Sequence, residues 1–356
     1  MNSLDNQDRI KEVDKNGMLG IEENFYNQLL DAKEIAGRTD LEKIKGKNFR
    51  GIAILGMGGS GFSGDIIKAL VKDEINIPVE IVKGYNLPSF IKNDWLAVSI
   101  SYSGNTEETI SATNKALERG CEALIVCSGG KLEGIALSND KPIIKIPVGI
   151  QPRGAIGYLF FPAYLALGEL DVVKIHPRDV EEALGLIKEK AGLYNREVSS
   201  ENNPAKELAL KVSDYLPIVY GTEGLLTTIA YRLKCEFNEN SKTPAWWNEF
   251  PELNHNETVG WQRLKETTGK FILLVFRDRE ETVRIKTRIE VTLGLIRENV
   301  GEIVEIPVEG KSRLAKALSA MYLGDITTVY LAILNGIDPG PVEKIDSLKS
   351  ELAKLN

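Results

Sequence analysis

Hydroxyl side chains cluster in the stretch "SISYSGNTEET" (99–109) at a spacing that suits phosphate binding. Ser101, Ser103 and Thr106 fall across a predicted strand-to-helix turn, where free backbone N–H groups and the helix dipole favour an anion. Hydroxyl and N–H donors that converge there would hold a phosphate monoester without a metal ion. The alternative is an ordinary helix N-cap from Ser103 or Asn105, which accounts for one hydroxyl but not for three.

A second anion-binding turn is predicted in "ILGMGGSGFSGD" (54–65), where glycines follow a β-like run and open a helix. Gly58, Gly59 and Ser60 are the expected phosphate contacts there. The spacing also satisfies the dinucleotide-binding pattern G-x-G-x-x-G, but an acidic residue should then close the next strand. That strand ends in Lys83, which disfavours a dinucleotide. A turn whose glycines serve only close packing stays open as the alternative.

Three further polar segments carry groups that can move a proton or stabilise a charge. Arg153 in "QPRGAIGY" (151–158) has a permanently charged guanidinium with rigid donors, although it could instead contact phosphate or cap the surface. His255 in "PELNHNE" (251–257) can donate and accept a proton near neutral pH, or could be satisfied by backbone groups. The stretch "CEFNENSK" (235–242) contains Glu239 and, one helical turn earlier, Glu236, which we interpret as a solvated helix residue.

Composition points to a small ligand. The chain has 356 residues and a net charge of −7, so it lacks the concentrated basic surface that nucleic acid or an anionic membrane requires. Its three cysteines lie in apolar segments without metal-type spacing, which indicates buried thiols in a reducing compartment. The N-terminus is polar, and no apolar run is seen to reach the roughly 20 residues that cross a bilayer. We therefore expect a cytoplasmic protein with no membrane or nucleic-acid partner.

The elements that must position these residues follow the pattern of a parallel sheet covered by helices. Short apolar runs alternate with helical periodicity, and the first helix is predicted at 21–36. The predicted strands of the first half are 51–55, 79–83, 95–101, 123–127 and 142–146, and its helices are 62–71, 106–119, 132–137 and 155–167. In the second half, strands are predicted at 216–221, 271–277 and 301–306, with helices at 225–237, 281–297 and 314–334.

These patterns predict an α/β fold with two doubly wound α/β/α domains, each built on a mainly parallel five-stranded sheet. The expected division is an N-terminal helical segment (1–48), a first, phosphate-binding domain (49–175), a charged helical connection (176–205) and a second domain with a C-terminal helix (206–356). The loop-forming stretch "SSENNP" (199–204) marks the connection.

At this point the sequence resembles a known family. The pattern S-x-S-G-x-T-x-E after a strand is typical of sugar isomerase (SIS) domains, which bind phosphorylated sugars. Together with "GMGGSGFSGD", "PRGAIGY" and "EFNENSKTPAWWNEFPELNHNE", it closely resembles the bifunctional phosphoglucose/phosphomannose isomerase family over residues 21–349.

The resemblance implies the interconversion of glucose 6-phosphate, and of mannose 6-phosphate, with fructose 6-phosphate through a cis-enediol(ate), without a metal or cofactor. It implies Glu239 as the base that carries a proton between C1 and C2, His255 as the ring-opening group donated by the other subunit of a homodimer, and Arg153 as the cation at the enediolate. A C-terminal lysine completes the set; Lys349 is our assignment, with Lys344 as the alternative.

Two other functions stay open at this stage. A non-catalytic phosphosugar sensor would need the phosphate-binding turns but none of the acid–base groups. An isomerase of another phosphosugar, such as a heptose or an amino sugar, would differ only in the hydroxyl pattern of the sugar that it recognises.

Overall fold

The computed structural model describes residues 3–355 as two parallel sheets surrounded by helices. The strands are β1 (Gly51–Leu55), β2 (Val79–Val82), β3 (Trp95–Ser101), β4 (Glu122–Cys127), β5 (Ile143–Lys145), β6 (Leu216–Thr222), β7 (Trp246–Phe250), β8 (Phe271–Arg277) and β9 (Glu302–Pro307). The helices are α1 (Gln7–Val13), α2 (Met18–Glu23), α3 (Phe25–Arg38), α4 (Gly58–Val71), α5 (Glu107–Glu118), α6 (Gly130–Ser138), α7 (Ile156–Glu169), α8 (Pro177–Leu193), α9 (Pro204–Val212), α10 (Leu225–Glu239), α11 (Glu257–Gly260), α12 (Lys265–Thr268), α13 (Val283–Ile296), α14 (Arg313–Leu334) and α15 (Glu343–Leu352).

The first sheet has the strand order β2-β1-β3-β4-β5, and all of its pairings are parallel. Every residue of β1 and β3 is buried, because helices cover both faces of a doubly wound sheet. All five strands predicted in this half are confirmed, and no end differs from its prediction by more than one residue. The chain turns in opposite directions after β1 and β3, and this crevice is where α/β sheets bind ligands.

The second sheet repeats this arrangement in the order β7-β6-β8-β9, again fully parallel. It has four strands, so the predicted five-stranded sheet is wrong for this half. Edge strand β7 was also missed by the sequence analysis. Its sequence, WWNEF, lacks clean alternation, and its two tryptophans are 48% and 39% exposed, so no buried apolar run marked it as a strand.

Helix α14 forms the centre of the molecule and packs against α2, α8, α9 and α10. By length and composition it is long and apolar enough to cross a membrane, which corrects the expectation that no apolar run approaches that length. However, 89% of its most apolar window is buried inside the protein, as expected for a core helix.

Several predicted helices have different limits in the structure. Helix α4 begins at Gly58 and not at the predicted Phe62, and α6 extends beyond the predicted 132–137 at both ends. The helix predicted at 21–36 is two helices, α2 and α3, which meet at Asn24. Helix α10 continues beyond the predicted end at Phe237 and finishes at Glu239. The loop predicted at 199–204 is confirmed between α8 and α9, where the Asn203 side chain caps α9. The three cysteines are free, as predicted; Cys121 and Cys127 are buried and Cys235 is partly exposed.

Candidate active site

The glycine-rich turn between β1 and α4 leaves the first turn of α4 open to a ligand. Met57 precedes the helix without a side-chain cap, so the backbone N–H groups that follow lack a side-chain acceptor. Gly58 has a φ of +53°, and a Cβ added to it would have no atom within 4 Å. Gly56 and Gly61, by contrast, pack backbone against backbone. Close packing thus explains two of these glycines, whereas Gly58 faces open space.

The hydroxyl-bearing turn after β3 lies beside the first one. The Ser60 hydroxyl accepts a hydrogen bond from the Tyr102 backbone N–H at 3.3 Å, which ties the two turns together. Gly104 has a φ of +67°, and a Cβ there would overlap the Gly129 carbonyl oxygen, so only glycine fits. The two turns therefore meet at the crevice between β1 and β3.

The hydroxyls of this turn do not cap α5. Ser101 Oγ and Thr106 Oγ1 are hydrogen-bonded to each other at 2.9 Å, and Thr106 makes no capping bond. Ser103 is exposed and accepts from the Asn105 backbone N–H at 3.2 Å, while Asn105 Oδ1 accepts from Lys131 N at the start of α6. The N-cap alternative is therefore wrong for Ser103 and Asn105. The first turn of α5, like that of α4, keeps its N–H donors for a ligand.

Arg153 lies next to the glycine-rich turn and is held by the opposite end of the chain. It belongs to a 3-10 helix, Pro152–Ala155, and its Cα would be 3.7 Å from a Cβ on Gly59. The side chain is 4% exposed. Its Nη2 donates to the carbonyl oxygens of Pro339 and Gly340, the latter at 2.8 Å, and Nε donates to Asn240 Oδ1 at 2.6 Å.

The remaining nitrogen of this guanidinium, Nη1, takes part in none of the hydrogen bonds found among residues 3–355. Nη1 is therefore the one nitrogen of this guanidinium without a hydrogen-bond partner among the described residues, and it is the donor that remains for a ligand. Arg153 is thus fixed on two edges and free on the third.

Glu239 is the last residue of α10, whereas the helix predicted at 225–237 would have left it in the following loop. It is partly buried, and its backbone carbonyl oxygen accepts a hydrogen bond from Lys242 Nζ at 2.5 Å. Lys242 also donates to the Pro339 carbonyl at 3.1 Å, so it shares that acceptor with Arg153. Glu239, Lys242 and Arg153 therefore belong to one cluster at the end of α10.

Sequence analysis missed Lys242, although it lies inside the quoted motif "CEFNENSK". Its backbone φ is +56°, a conformation that few residues other than glycine adopt. Burial, and after it the neighbouring positive charge of Arg153, lower the pKa of Lys242. A lysine in a polar motif next to a catalytic candidate was the only signal available in the sequence.

Glu236 is buried and ion-paired, so its interpretation as a solvated helix residue is wrong. It is 2% exposed, lies 3.2 Å from Arg232 Nη1, and accepts from Asn240 Nδ2 at 3.0 Å. Arg232 in turn makes a bidentate pair with Asp325 of α14, at 2.9 and 2.7 Å. Burial raises the pKa of Glu236 to about 8, against the opposing effect of Arg232.

A third buried carboxyl group, Glu22 of α2, completes this cluster. Its Oε1 has no hydrogen-bond partner among the described residues, and burial raises its pKa well above the ordinary range, helped by the charges of Asp325 and Glu236. The carboxyl groups of Glu22, Glu236 and Asp325 thus form one buried cluster around Arg232.

His255 lies apart from this cluster. It ends a 3-10 helix, Glu252–His255, and is exposed, and its side chain makes no hydrogen bond or ion pair with another residue of 3–355. The following helix α11 is anchored by Glu257, which accepts from the Tyr220 hydroxyl and from Asn248 Nδ2. One copy of the chain therefore does not bring His255 to Arg153 and Glu239.

The two candidate C-terminal lysines are also unpaired within the described chain. Lys344 and Lys349 lie on α15, a helix without a buried residue, and both are exposed. Lys344 follows Gly340, the acceptor of Arg153, by four residues, so the start of α15 is close to the cluster. Among residues 3–355, no group of three or more His, Cys, Asp or Glu side chains is arranged to hold a metal ion.

Two family models match most of the chain. An SIS domain model covers residues 47–170, and a model described as the bacterial phospho-glucose isomerase C-terminal SIS domain covers residues 201–352. Among solved structures, a glucose-6-phosphate isomerase like protein from Thermus thermophilus matches with a TM-score of 0.62 at 21% identity, over 96% of this chain and 99% of that chain. This likeness shows the SIS fold.

Curated relatives match at higher sequence identity. A bifunctional phosphoglucose/phosphomannose isomerase from Caldicellulosiruptor bescii is 39% identical over 94% of this chain and 99% of its own length. A D-glucosamine-6-phosphate 4-epimerase from Sulfolobus acidocaldarius is 32% identical over 66% of this chain and 71% of its own length.

Proposed function

The chain belongs to the bifunctional phosphoglucose/phosphomannose isomerase family, and we propose that it interconverts glucose 6-phosphate and mannose 6-phosphate with fructose 6-phosphate. The observation that carries the proposal is Arg153, which is fixed on two edges of its guanidinium, free on the third, and adjacent to both the phosphate-binding turns and Glu239. A phosphosugar sensor has no need for a cation held in this way.

In the proposed reaction the phosphate is held by Ser101, Ser103 and Thr106 and by the turn Gly58–Ser60, at the open starts of α4 and α5. These donors leave the sugar carbons on the side of Arg153 and Glu239. Because the phosphate does not react, this interaction serves to orient the open-chain sugar.

The proton transfer is assigned to Glu239. Its carboxylate takes the proton from C2 of the open-chain aldose, and the C2–H electrons form the C1=C2 bond of an enediolate whose charge rests on O1. Nη1 of Arg153 donates to that oxygen and stabilises the charge as it develops. Glu239 then returns its proton to C1 while the O2 proton moves to O1, which gives the ketose.

We further propose that the enzyme is a homodimer in which His255 of one chain opens the sugar ring in the site of the other. The support is that His255 is exposed and unpaired within its own described chain, close to the exposed edge strand that carries Trp246 and Trp247. Exposed aromatic residues of this kind are enriched at subunit interfaces. A lysine of α15, Lys349 or Lys344, is assigned to the same site. The domain division at residues 49–175 and 206–356 and a cytoplasmic location are part of the proposal.

The test offers glucose 6-phosphate and mannose 6-phosphate separately, with a chelator present, and identifies the product by NMR. We expect fructose 6-phosphate from both. Formation of product from neither sugar would refute the proposal, and loss of activity on adding the chelator would refute its metal-independent form.

The epimerase relative supports a second candidate, an enzyme that acts on an amino-sugar phosphate. Glucosamine 6-phosphate is therefore offered in a parallel reaction. Its conversion to a C4 epimer, without activity on the two hexose phosphates, would replace the first proposal by the second.

A further inference from the structure

We propose that Asn240 is a positioning residue that sets the orientation of the Arg153 guanidinium through its side-chain amide. The inference rests on the proposed role of Arg153 at the enediolate. It assigns a task to a buried residue that contacts neither the phosphate-binding turns nor the open edge of the guanidinium.

Asn240 is fully buried and makes three side-chain hydrogen bonds, which use both of its N–H donors and one of the two lone pairs of Oδ1. Oδ1 accepts from Arg153 Nε at 2.6 Å, and Nδ2 donates to Glu236 Oε2 at 3.0 Å and to Thr328 Oγ1 at 2.9 Å. The neighbours determine which way the amide points. Arg153 can only donate, and the Thr328 hydroxyl already donates its proton to the Asp325 carbonyl at 2.7 Å, so it must accept from Asn240.

The contact at Nε decides how far the guanidinium can rotate. Without it, Arg153 is held only through Nη2, whose two acceptors lie on neighbouring residues of one loop, Pro339 and Gly340. A guanidinium fixed at a single nitrogen can rotate about that nitrogen, and this rotation would turn Nη1 away from the enediolate oxygen. The acceptor on α10 is a second fixed point from a different element, so the plane of the guanidinium is defined.

An amide suits this position better than a carboxylate. Asn240 accepts from Arg153 without adding a negative charge, which leaves the positive charge of Arg153 available to the enediolate. An aspartate at residue 240 would form a direct ion pair with Arg153 and would lie against the carboxyl group of Glu236, 3.0 Å from the present Nδ2. The buried cluster already holds the carboxyl groups of Glu22, Glu236 and Asp325, so a further negative charge there is unfavourable.

The experiment compares Asn240→Leu, Arg153→Ala and the double variant by steady-state kinetics. Asn240→Leu removes the hydrogen bonds and roughly keeps the volume. We expect its kcat to fall about 10- to 100-fold, the order of loss produced by a misplaced catalytic group, while KM changes less than about threefold because the phosphate-binding turns are intact. In the Arg153→Ala background the same substitution should lower kcat no further.

The matched control is Asn203→Leu. Asn203 is also a buried asparagine with several hydrogen bonds, but it caps α9 away from the site. We expect it to lower the melting temperature and to leave kcat unchanged. A purely structural role for Asn240 would make Asn240→Leu resemble this control, with a lower melting temperature and an unchanged kcat.

Asn240→Asp keeps the shape of the side chain and tests the inference should the leucine variant not fold. Its kcat should fall with KM nearly unchanged. Wild-type kcat in either folded Asn240 variant, or additive effects in the cycle, would overturn the inference. If Arg153→Ala itself keeps full kcat, the proposed role of Arg153 is wrong, and that failure is recognised from this single variant.

Discussion

The substitution Arg153→Lys separates the possible roles of this cation because it keeps the charge and removes the planar fork of donors. Lysine carries its three N–H donors on one nitrogen, so it cannot reach Asn240, the loop carbonyls and a ligand at the same time. Occupying the two carbonyls of residues 339 and 340 would leave it one donor.

The expected losses follow from these contacts. Without Nε, the fully buried Oδ1 of Asn240 loses its donor, and an unpaired buried acceptor costs about 1–3 kcal/mol of folding free energy. At about 2–4 °C per kcal/mol the melting temperature should fall by several degrees. Loss of a donor to a developing oxyanion costs about 2.7–4 kcal/mol, so kcat should fall about 10²- to 10³-fold.

The assay measures kcat and KM for glucose 6-phosphate together with thermal melting. Arg277→Lys is the matched control, because Arg277 pairs with Glu281 and Glu305 of the second half and should lose some stability but no activity. If Arg153→Lys instead raises KM more than tenfold at constant kcat, Arg153 binds the phosphate. If both constants stay at wild-type values, Arg153 has no part in the reaction.

Four further outcomes are expected. Ser103→Ala should raise KM about tenfold or more, since a hydrogen bond to a charged group contributes about 1.5–3 kcal/mol. Folding should be little affected, because the exposed Ser103 hydroxyl accepts only one 3.2 Å hydrogen bond, within its own turn. Unchanged kinetics would exclude Ser103 from the phosphate site. Glu239→Gln should lower kcat by about 10² or more with substrate binding retained, and a variant that still exchanges the C2 proton with solvent deuterium would move the base to another residue. Mixing Glu239→Gln with His255→Ala subunits should restore about a quarter of wild-type activity. About half of the dimers are then mixed, and each mixed dimer has one intact site out of two. No recovery in heterodimers verified by mass would show that His255 does not act across the interface. The pKa of Glu236 is about 8 in the folded protein against an ordinary 4.5, so its contribution to stability is greatest below pH 4.5 and is lost as the pH rises towards 8. The melting temperature of Glu236→Gln should therefore fall less than that of the wild type between pH 4.5 and pH 8. An equal fall in the two proteins would contradict the assignment.

The strands of the first sheet could be read from the sequence because both faces of a parallel sheet are buried. Each strand is then a short apolar run between turns, and β1 and β3 were predicted with their observed ends. The edge strand β7 has no such run, since Trp246 and Trp247 are exposed in the single chain. Its strand character comes from pairing with β6, which local sequence does not reveal.

The strand-to-helix turns before α4 and α5 were likewise predictable, because glycines and hydroxyl side chains are typical of such turns. The buried cluster was not. Glu236 lies on an apparently ordinary polar face of α10, and its burial depends on Arg232 and on Asp325, 89 residues further along the chain at the centre of α14. Only the packing of α10 against α14 shows that this face points into the core.

The arrangement of the cluster also explains how two cations can lie side by side in a partly buried place. Arg153 and Lys242 both donate to backbone carbonyl oxygens. Arg153 donates to those of residues 339 and 340, and Lys242 donates to those of residues 239 and 339. The C-terminal end of a helix carries partial negative charge, which favours cations there, as the N-terminal ends of α4 and α5 favour an anion. Neutral carbonyl groups hold the two cations without cancelling their charge, whereas the carboxyl groups of Asp325 and Glu236 contact the buried Arg232. The protein thus keeps its ion pairs in the core and presents unneutralised positive charge at the surface of the candidate site, where an enediolate would need it.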